Sequence, residues 1–217
     1  MSKTVRRCVG VGYTAAVIGV GVFLTVRNGV GGLVVPLLSL AFLAAFPLLR
    51  RLLSLPQGYA METLWLLFFF GSYTLGTGCA LYARFACYDL VLHGVSGVLT
   101  TLTGLCLYTR LRPHALRGAP PERGMATAVA FLFAQTAAAL WELAEYMGWV
   151  LTGHDSQNVL KTGVSDTMED MLISLVVSAV VCLLYAARRE GKKGLFFPVD
   201  EWNEAVKLQE EARNASN

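Results

Sequence analysis

Six long apolar stretches occupy most of this 217-residue chain. They lie at about 8–26, 33–54, 61–83, 88–109, 125–151 and 168–187. Each is a transmembrane-helix candidate, because about 20 predominantly apolar residues cross the hydrocarbon core of a bilayer. Charged residues make up only 15% of the chain, whereas soluble domains contain roughly a quarter. The sequence therefore predicts an all-α, polytopic membrane protein with six transmembrane helices.

The basic residues predict the orientation of these helices. With the N-terminus placed in the cytoplasm, all but three of the 18 lysines and arginines fall in cytoplasmic segments, and the exceptions are Arg27, Arg84 and Lys161. Cytoplasmic loops of membrane proteins carry an excess of Lys and Arg, so we expect both termini to be cytoplasmic. The net charge of +3 follows from this asymmetry, and we expect no nucleic-acid partner.

The connections between the stretches are too short for a separate soluble domain. We expect one transmembrane domain, residues 1–194, followed by a cytoplasmic tail, residues 195–217. In the tail, Val199, Trp202 and Val206 recur at helical spacing among acidic residues, which predicts a short amphipathic helix resting on the membrane. Whether Cys79 pairs with Cys87, and whether the chain forms a homo-oligomer or has protein partners, stays open.

The acidic residues are concentrated in one part of the chain. Seven lie outside the predicted cytoplasmic segments, all in the last three stretches or the loop before the sixth: Asp89, Glu142, Glu145, Asp155, Asp166, Glu169 and Asp170. At a rise of about 1.5 Å per residue, Glu145 and Glu142 lie about 9 and 13 Å inside the end of the fifth stretch at Leu151. Because an acid inside a span costs about 2.5 kcal/mol or more, this pair indicates a functional site.

Three predicted helices each supply a pair of potential metal ligands. The pairs are Asp89 with His93, Glu142 with Glu145, and Asp166 with Asp170. Helical bundles form metal sites from such side chains when they project inward from facing helices. Carboxylates with one imidazole suit Mg²⁺, Mn²⁺, Fe²⁺ or Zn²⁺, and a divalent cation would offset charges that the nearby bases are too few to balance.

Simpler explanations exist for some of these residues. Asp89, Asp166 and Asp170 stand at or near predicted helix N-termini, where the helix dipole favours negative charge. A lone His93 in a polar helix contact would also be ordinary. Glu142 and Glu145 have no comparable explanation, because they lie deep in a span and near its C-terminal end.

Three motifs in this region resemble those of the YjdF-like family of bacterial and archaeal membrane proteins. They are YDLVLHGVSG (Tyr88, Asp89, His93, Gly97), WELAEY (Trp141, Glu142, Glu145) and SDTMEDM (Asp166, Thr167, Asp170). The resemblance covers about residues 60–190, and where family members commonly carry a Gly-Asp-rich run this chain has TGVSDT. It implies a multi-pass protein of a bacterial or archaeal cell (inner) membrane, and it implies no activity, because the family's domain has no known function.

Three functions fit the predicted site. The first is a metal-dependent hydrolase or transferase acting on a lipid or lipid-linked phosphate, in which Glu142, Glu145 and His93 take part in catalysis. Arg84, Lys161 and His154 are the candidates for contacts with the substrate in this hypothesis. The second is a channel or transporter for divalent cations or protons. The third is a non-catalytic, metal-stabilised membrane scaffold or sensor.

Overall fold

A computed structural model describes residues 1–113, 120–153, 155–188 and 194–215, without the side chains of 120 and 121. Within these ranges every long element is helical and there is no β-strand, which confirms the predicted all-α class. The chain forms two compact units. The first contains Met1–Tyr88 and Phe197–Asn217, and the second contains Asp89–Phe196.

The first unit begins with two antiparallel helices. Helix α1 (Lys3–Asn28) leads through a 3-10 turn (Gly29–Leu33) into α2 (Val34–Leu52). The turn depends on Gly29, whose φ of +62° suits glycine. The Tyr13 hydroxyl donates to the Ser39 carbonyl oxygen at 2.6 Å, so the middle of α1 lies against α2.

The third predicted stretch, 61–83, is not one uniform helix. Helix α3 (Tyr59–Phe69) continues as a π-helical segment (Phe70–Gly78), and a short helix α4 (Leu81–Arg84) follows. In the π segment the buried Thr74 hydroxyl donates to Ser39 Oγ at 2.9 Å. Extended π winding is rare, and the hydropathy pattern contains no signal for it.

The predicted amphipathic tail forms helix α9 (Phe197–Ala215) and belongs to the first unit. Its apolar face packs on α3, with Val199 and Val206 almost wholly buried. Glu201 Oε1 accepts the backbone N–H of Ala60 at 3.0 Å, which satisfies a donor at the N-terminus of α3. In this structure the apolar stripe of α9 therefore covers protein.

We predict that Val206→Asp detaches α9 from α3, because the substitution places a carboxylate in a site that is 1% exposed. Backbone amides of α9 should then exchange faster in hydrogen–deuterium exchange. Leu208→Asp is the matched control, because Leu208 is 66% exposed on the same helix. Equal exchange rates in the two variants would contradict the packing of α9 on α3.

The described residues of the second unit form three long helices and one short one. These are α5 (Tyr88–Leu111), α6 (Pro120–Thr152), α7 (Val159–Thr162) and α8 (Ser165–Ala187). Helix α6 runs antiparallel to α5 and α8. Small residues allow close approach: a Cβ on Gly104 of α5 would lie 2.7 Å from Ala130 Cα of α6, and one on Gly97 would lie 3.1 Å from the Ser174 oxygen of α8.

Four described helical segments are long and apolar enough to cross a membrane. They are Lys3–Leu52, Tyr88–Leu111, Glu122–Thr152 and Ser165–Ala187. The first contains α1 and α2, which match the first two predicted stretches, and the other three match the last three. The stretch at 61–83 is not among them, since its α-helical part has only 11 residues. The count of six spans and the cytoplasmic placement of the termini stay predictions.

Candidate metal centre

The candidate site lies at one end of the second unit, where α5 and α8 begin and α6 approaches its C-terminus. Asp89 and His93 are four residues apart on α5, so their side chains share one helical face. The parallel start of α8 brings Asp170 to the same level. The Ser174 hydroxyl donates to the His93 carbonyl oxygen at 3.2 Å and fixes the register between α5 and α8.

Two carboxylate oxygens converge on one nitrogen of His93, so the three residues together offer three potential ligand atoms. His93 Nε2 lies 3.6 Å from Asp89 Oδ1 and 3.8 Å from Asp170 Oδ2. Asp89, His93 and Asp170 each offer a ligand atom within 4.8 Å of the other two. His93 and Asp170 are buried, and the Asp89 side chain is 32% exposed. Two atoms that bind the same metal ion, each with a metal–ligand bond of about 2.0–2.2 Å, are separated by similar distances.

Glu142 approaches the opposite side of the imidazole ring. Its Oε1 lies 3.8 Å from His93 Nδ1, and Glu142 is only 5% exposed. Its Oε2 accepts a hydrogen bond from Gln157 Nε2 at 3.2 Å. Oε1 itself is buried and has no hydrogen-bond partner among the residues that the structure describes. A buried carboxylate oxygen of this kind requires an explanation, because an unsatisfied charged group is expensive.

The cluster carries more negative than positive charge. Asp89, Glu142 and Asp170 surround one imidazole, and in the described part of the chain none of these carboxylates pairs with a lysine or arginine. Buried charges in proteins are normally paired or bound to metal ions. The residues present therefore fit a cation: two carboxylates and an imidazole nitrogen form a donor set suited to a hard or borderline divalent ion.

Two predicted ligands have other partners in this structure. Glu145 Oε1 accepts a hydrogen bond from Trp141 Nε1 at 3.0 Å. Asp166 Oδ2 accepts one from Asn158 Nδ2 at 2.8 Å. Neither residue belongs to the three-residue cluster, so a ligand role for either stays a prediction without a contact to support it.

The predicted substrate contacts receive no direct support. Arg84 lies in α4 of the first unit and is exposed, and Lys161 is exposed on α7. His154 lies outside the described residues. Their roles stay predictions.

Gln157 is the important residue that the sequence analysis missed. It is 6% exposed, and its Nε2 donates to both the carbonyl oxygen and Oε2 of Glu142. It lies in a short polar loop, where no helical or strand periodicity identifies a buried side chain. The one available signal was an uncharged amide two residues after the single acid, Asp155, in TGHDSQN.

A groove of about 450 Å³ lies beside Glu142. Glu142, Gln157 and Thr167 are its polar lining residues. The rest of the lining is mainly apolar and includes Leu143, Tyr146, Trp149, Met168 and Met171. A mostly apolar groove with a few polar groups at one place is typical of small-molecule sites.

Further along α8 than the cluster, polar side chains between α6 and α8 already make hydrogen bonds. Gln135 Nε2 donates to Ser178 Oγ at 2.6 Å, and Ser178 Oγ donates to the Ser174 carbonyl oxygen at 2.7 Å. Ser174 in turn donates to His93. The Gln135–Ser178 and Ser174–His93 bonds join helices in the manner of polar contacts in membrane bundles, and the Ser178–Ser174 bond lies within α8.

These features define a helical membrane protein with a buried carboxylate–histidine cluster. The chain belongs to a family described as "Predicted membrane protein (DUF2238)", whose model matches residues 7–191. The match confirms the resemblance to the YjdF-like proteins. No curated protein and no solved structure matches the chain significantly.

Proposed function

We propose that this protein binds a divalent metal ion through Asp89, His93 Nε2 and Asp170, and that it is a metal-dependent hydrolase or transferase. Mg²⁺, Mn²⁺, Fe²⁺ and Zn²⁺ are the candidate ions. The convergence of three potential ligand atoms within 4.8 Å of one another is the observation that carries this proposal.

The number of ligands favours catalysis over a purely structural role. Structural zinc sites normally have four protein ligands, whereas catalytic sites keep a position open for water or substrate. Asp89, His93 and Asp170 leave such a position. An ion there would polarise a phosphoryl or carbonyl oxygen and lower the pKa of bound water. Glu145, close in sequence to Glu142, is the candidate general base.

The proposed substrate is a lipid or a lipid-linked phosphate. Apolar side chains of α6, including Leu140 and Leu143, are exposed near the groove, and in a membrane they would face acyl chains. The groove could therefore receive an apolar chain from the side while its polar residues approach a headgroup. Arg84, Lys161 and His154 remain the proposed contacts for a phosphate.

The proposed topology has six spans with both termini in the cytoplasm of a bacterial or archaeal cell. Antiparallel α1 and α2 support two passes within Lys3–Leu52. The third pass would use α3 and its π-helical continuation. In this orientation the metal centre lies toward the outer face of the cell membrane, and the remaining basic loops lie inside.

The proposal predicts metal-dependent release of phosphate or alcohol from lipid substrates by the purified protein in mixed micelles. Asp170→Asn should abolish turnover because it removes a charged ligand. Glu169→Gln should retain turnover, since Glu169 is exposed on the same helix. A protein that binds metal but transforms no lipid in such a panel would contradict the enzymatic role and favour a scaffold or sensor.

A transport function makes a different prediction. Proteoliposomes that contain a metal-sensitive dye should then show uptake that depends on the cluster. We expect no uptake, because Gln135, Ser174 and Ser178 are engaged in hydrogen bonds between or within helices. Uptake that is lost in Asp170→Asn would overturn the enzymatic proposal.

A further inference from the structure

Gln157 reaches Glu142 from the loop between α6 and α8. Its Nε2 lies 3.0 Å from the Glu142 carbonyl oxygen and 3.2 Å from Oε2. Both residues are buried. One amide group therefore holds the backbone and one carboxylate oxygen of the same residue, which restricts the rotation of the Glu142 side chain.

The loop that carries Gln157 is itself anchored at two points. Asp155 accepts the backbone N–H groups of Val159 and Leu160 at 3.0 and 2.9 Å. Asn158 donates from its side chain to Asp166 at the start of α8. Gln157 is thus placed by its neighbours on both sides and is not a freely moving surface side chain.

The restrained Glu142 faces Nδ1 of His93, whereas Asp89 and Asp170 face Nε2. With Oε2 held by Gln157, Oε1 lies 3.8 Å from Nδ1 and accepts no hydrogen bond from the described part of the chain. Asp89 and Asp170 lie on the Nε2 side. The two ring nitrogens point in different directions, so an ion bound to Nε2 among Asp89 and Asp170 is not on the side of the ring that Glu142 faces.

We propose that Glu142 and Gln157 are positioning residues that act through His93. Gln157 holds Glu142, Glu142 accepts the Nδ1–H of His93, and Nε2 is left unprotonated toward Asp89 and Asp170. The Nδ1–Oε1 distance is 3.8 Å in this structure and would have to shorten by a side-chain movement for the hydrogen bond to form. Metal-binding histidines almost always donate their second ring N–H in this manner, which fixes the tautomer.

This inference rests on the proposed metal site and changes the assignment of one residue within it. Sequence spacing makes Glu142 a ligand of the ion. The geometry instead makes Glu142 the hydrogen-bond acceptor for the second ring nitrogen of His93, Nδ1. It also adds Gln157, which has no role in the site predicted from the sequence. Two carboxylates and one imidazole then complete the protein's ligand set.

The first test uses the metal-free full chain and observes His93 directly. In ¹⁵N-histidine NMR spectra of the His114→Ala/His154→Ala background, only His93 contributes. We expect the Nδ1–H tautomer in the parent and a mixture of tautomers in Gln157→Ala and Glu142→Gln. Leu160→Ala is the control, because Leu160 is 80% exposed in the same segment, and it should leave the spectrum unchanged. An unchanged tautomer in Gln157→Ala would overturn the inference.

The second test measures binding of Zn²⁺ and Co²⁺ by titration. We expect Gln157→Ala and Glu142→Gln to weaken binding by about 10–100-fold, the usual effect of removing a group that orients a ligand. The Co²⁺ absorption spectrum should keep its intensity at saturation, because the ligands stay the same. Loss of binding in Glu142→Gln as complete as in Asp170→Asn would make Glu142 a ligand and contradict the inference.

The two tests separate this inference from the proposed function. If the parent protein binds no metal but its tautomer depends on Gln157, the metal proposal fails and the hydrogen-bonded arrangement behind His93 is supported. If the parent binds metal and Gln157→Ala changes neither tautomer nor affinity, the metal proposal survives and the positioning role fails.

Discussion

Asp170→Asn is expected to abolish the proposed metal binding of the purified protein. Asp170 is 5% exposed and its Oδ2 lies 3.8 Å from His93 Nε2, so it holds one of the three proposed ligand positions. A neutral amide oxygen is a weaker ligand for a divalent cation than a carboxylate. The loss of metal affinity should exceed the roughly 10–100-fold effect of changing a residue that hydrogen-bonds to a ligand. Elemental analysis after saturation with each candidate ion and gel filtration measures the result.

Glu169→Gln is the matched control for this experiment. It removes the same charge one residue away, on an exposed part of α8, and should leave the metal content unchanged. His93→Ala and Asp89→Asn should behave like Asp170→Asn. If the parent protein retains none of the four ions, or if the control loses metal equally, the assignment of the centre is wrong.

Asp170→Asn is also expected to stabilise the metal-free protein. Without an ion, the carboxylates of Asp89, Glu142 and Asp170 repel one another and have no Lys or Arg partner among the described residues, so Asp170→Asn removes an unfavourable charge. We expect a higher thermal midpoint for the metal-free variant than for the metal-free parent. Functional sites often carry such a loss of stability. A lower midpoint would indicate that Asp170 has a structural hydrogen-bonding role instead.

Gly104→Ala is expected to be the most destabilising single-methyl change in the second unit. The new Cβ would lie 2.7 Å from Ala130 Cα and 3.1 Å from the Ala130 carbonyl oxygen, and both are backbone atoms that cannot rotate away. Helices α5 and α6 would have to separate at this contact. Overpacking of this kind costs about 1–3 kcal/mol. Thermal unfolding in detergent, followed by circular dichroism, measures the change.

Gly94→Ala provides the comparison on the same helix. A Cβ there would make ordinary contacts at 3.6 and 3.8 Å with Ile173 and Val177 side chains. Alanine also has a higher helix propensity than glycine, so this variant should match or exceed the parent in stability. A Gly104→Ala protein as stable as Gly94→Ala would show that α5 and α6 do not approach as closely as described.

The helices of the second unit were predictable because hydropathy and length determine them. The stretches at 88–109 and 168–187 correspond closely to Tyr88–Leu111 and Ser165–Ala187. The π-helical Phe70–Gly78 was not predictable, since its winding has no counterpart in apolar periodicity. A prediction that assumes a uniform α-helical rise per residue therefore does not describe the third stretch, 61–83.

Part of the candidate site was equally predictable. The spacing of Asp89 and His93 places both on one face, and the structure brings them to 3.6 Å. Which of Glu142 and Glu145 faces His93 depends on the rotation of α6, and that rotation is set by packing such as the Gly104–Ala130 contact. Spacing alone treats the two glutamates as equivalent. Gln157 was missed because its burial arises from tertiary contacts of a loop.

The placement of Asp89 and His93 one turn apart on α5 has a consequence for biogenesis. A nascent chain that has inserted α5 already carries two of the three donor atoms, held together by local helical geometry. The third donor, Asp170, arrives only with the last long helix of the unit. Binding of the proposed ion would therefore favour the docking of α8 onto a partly assembled bundle, and the supply of the ion during synthesis would influence how much of the chain matures.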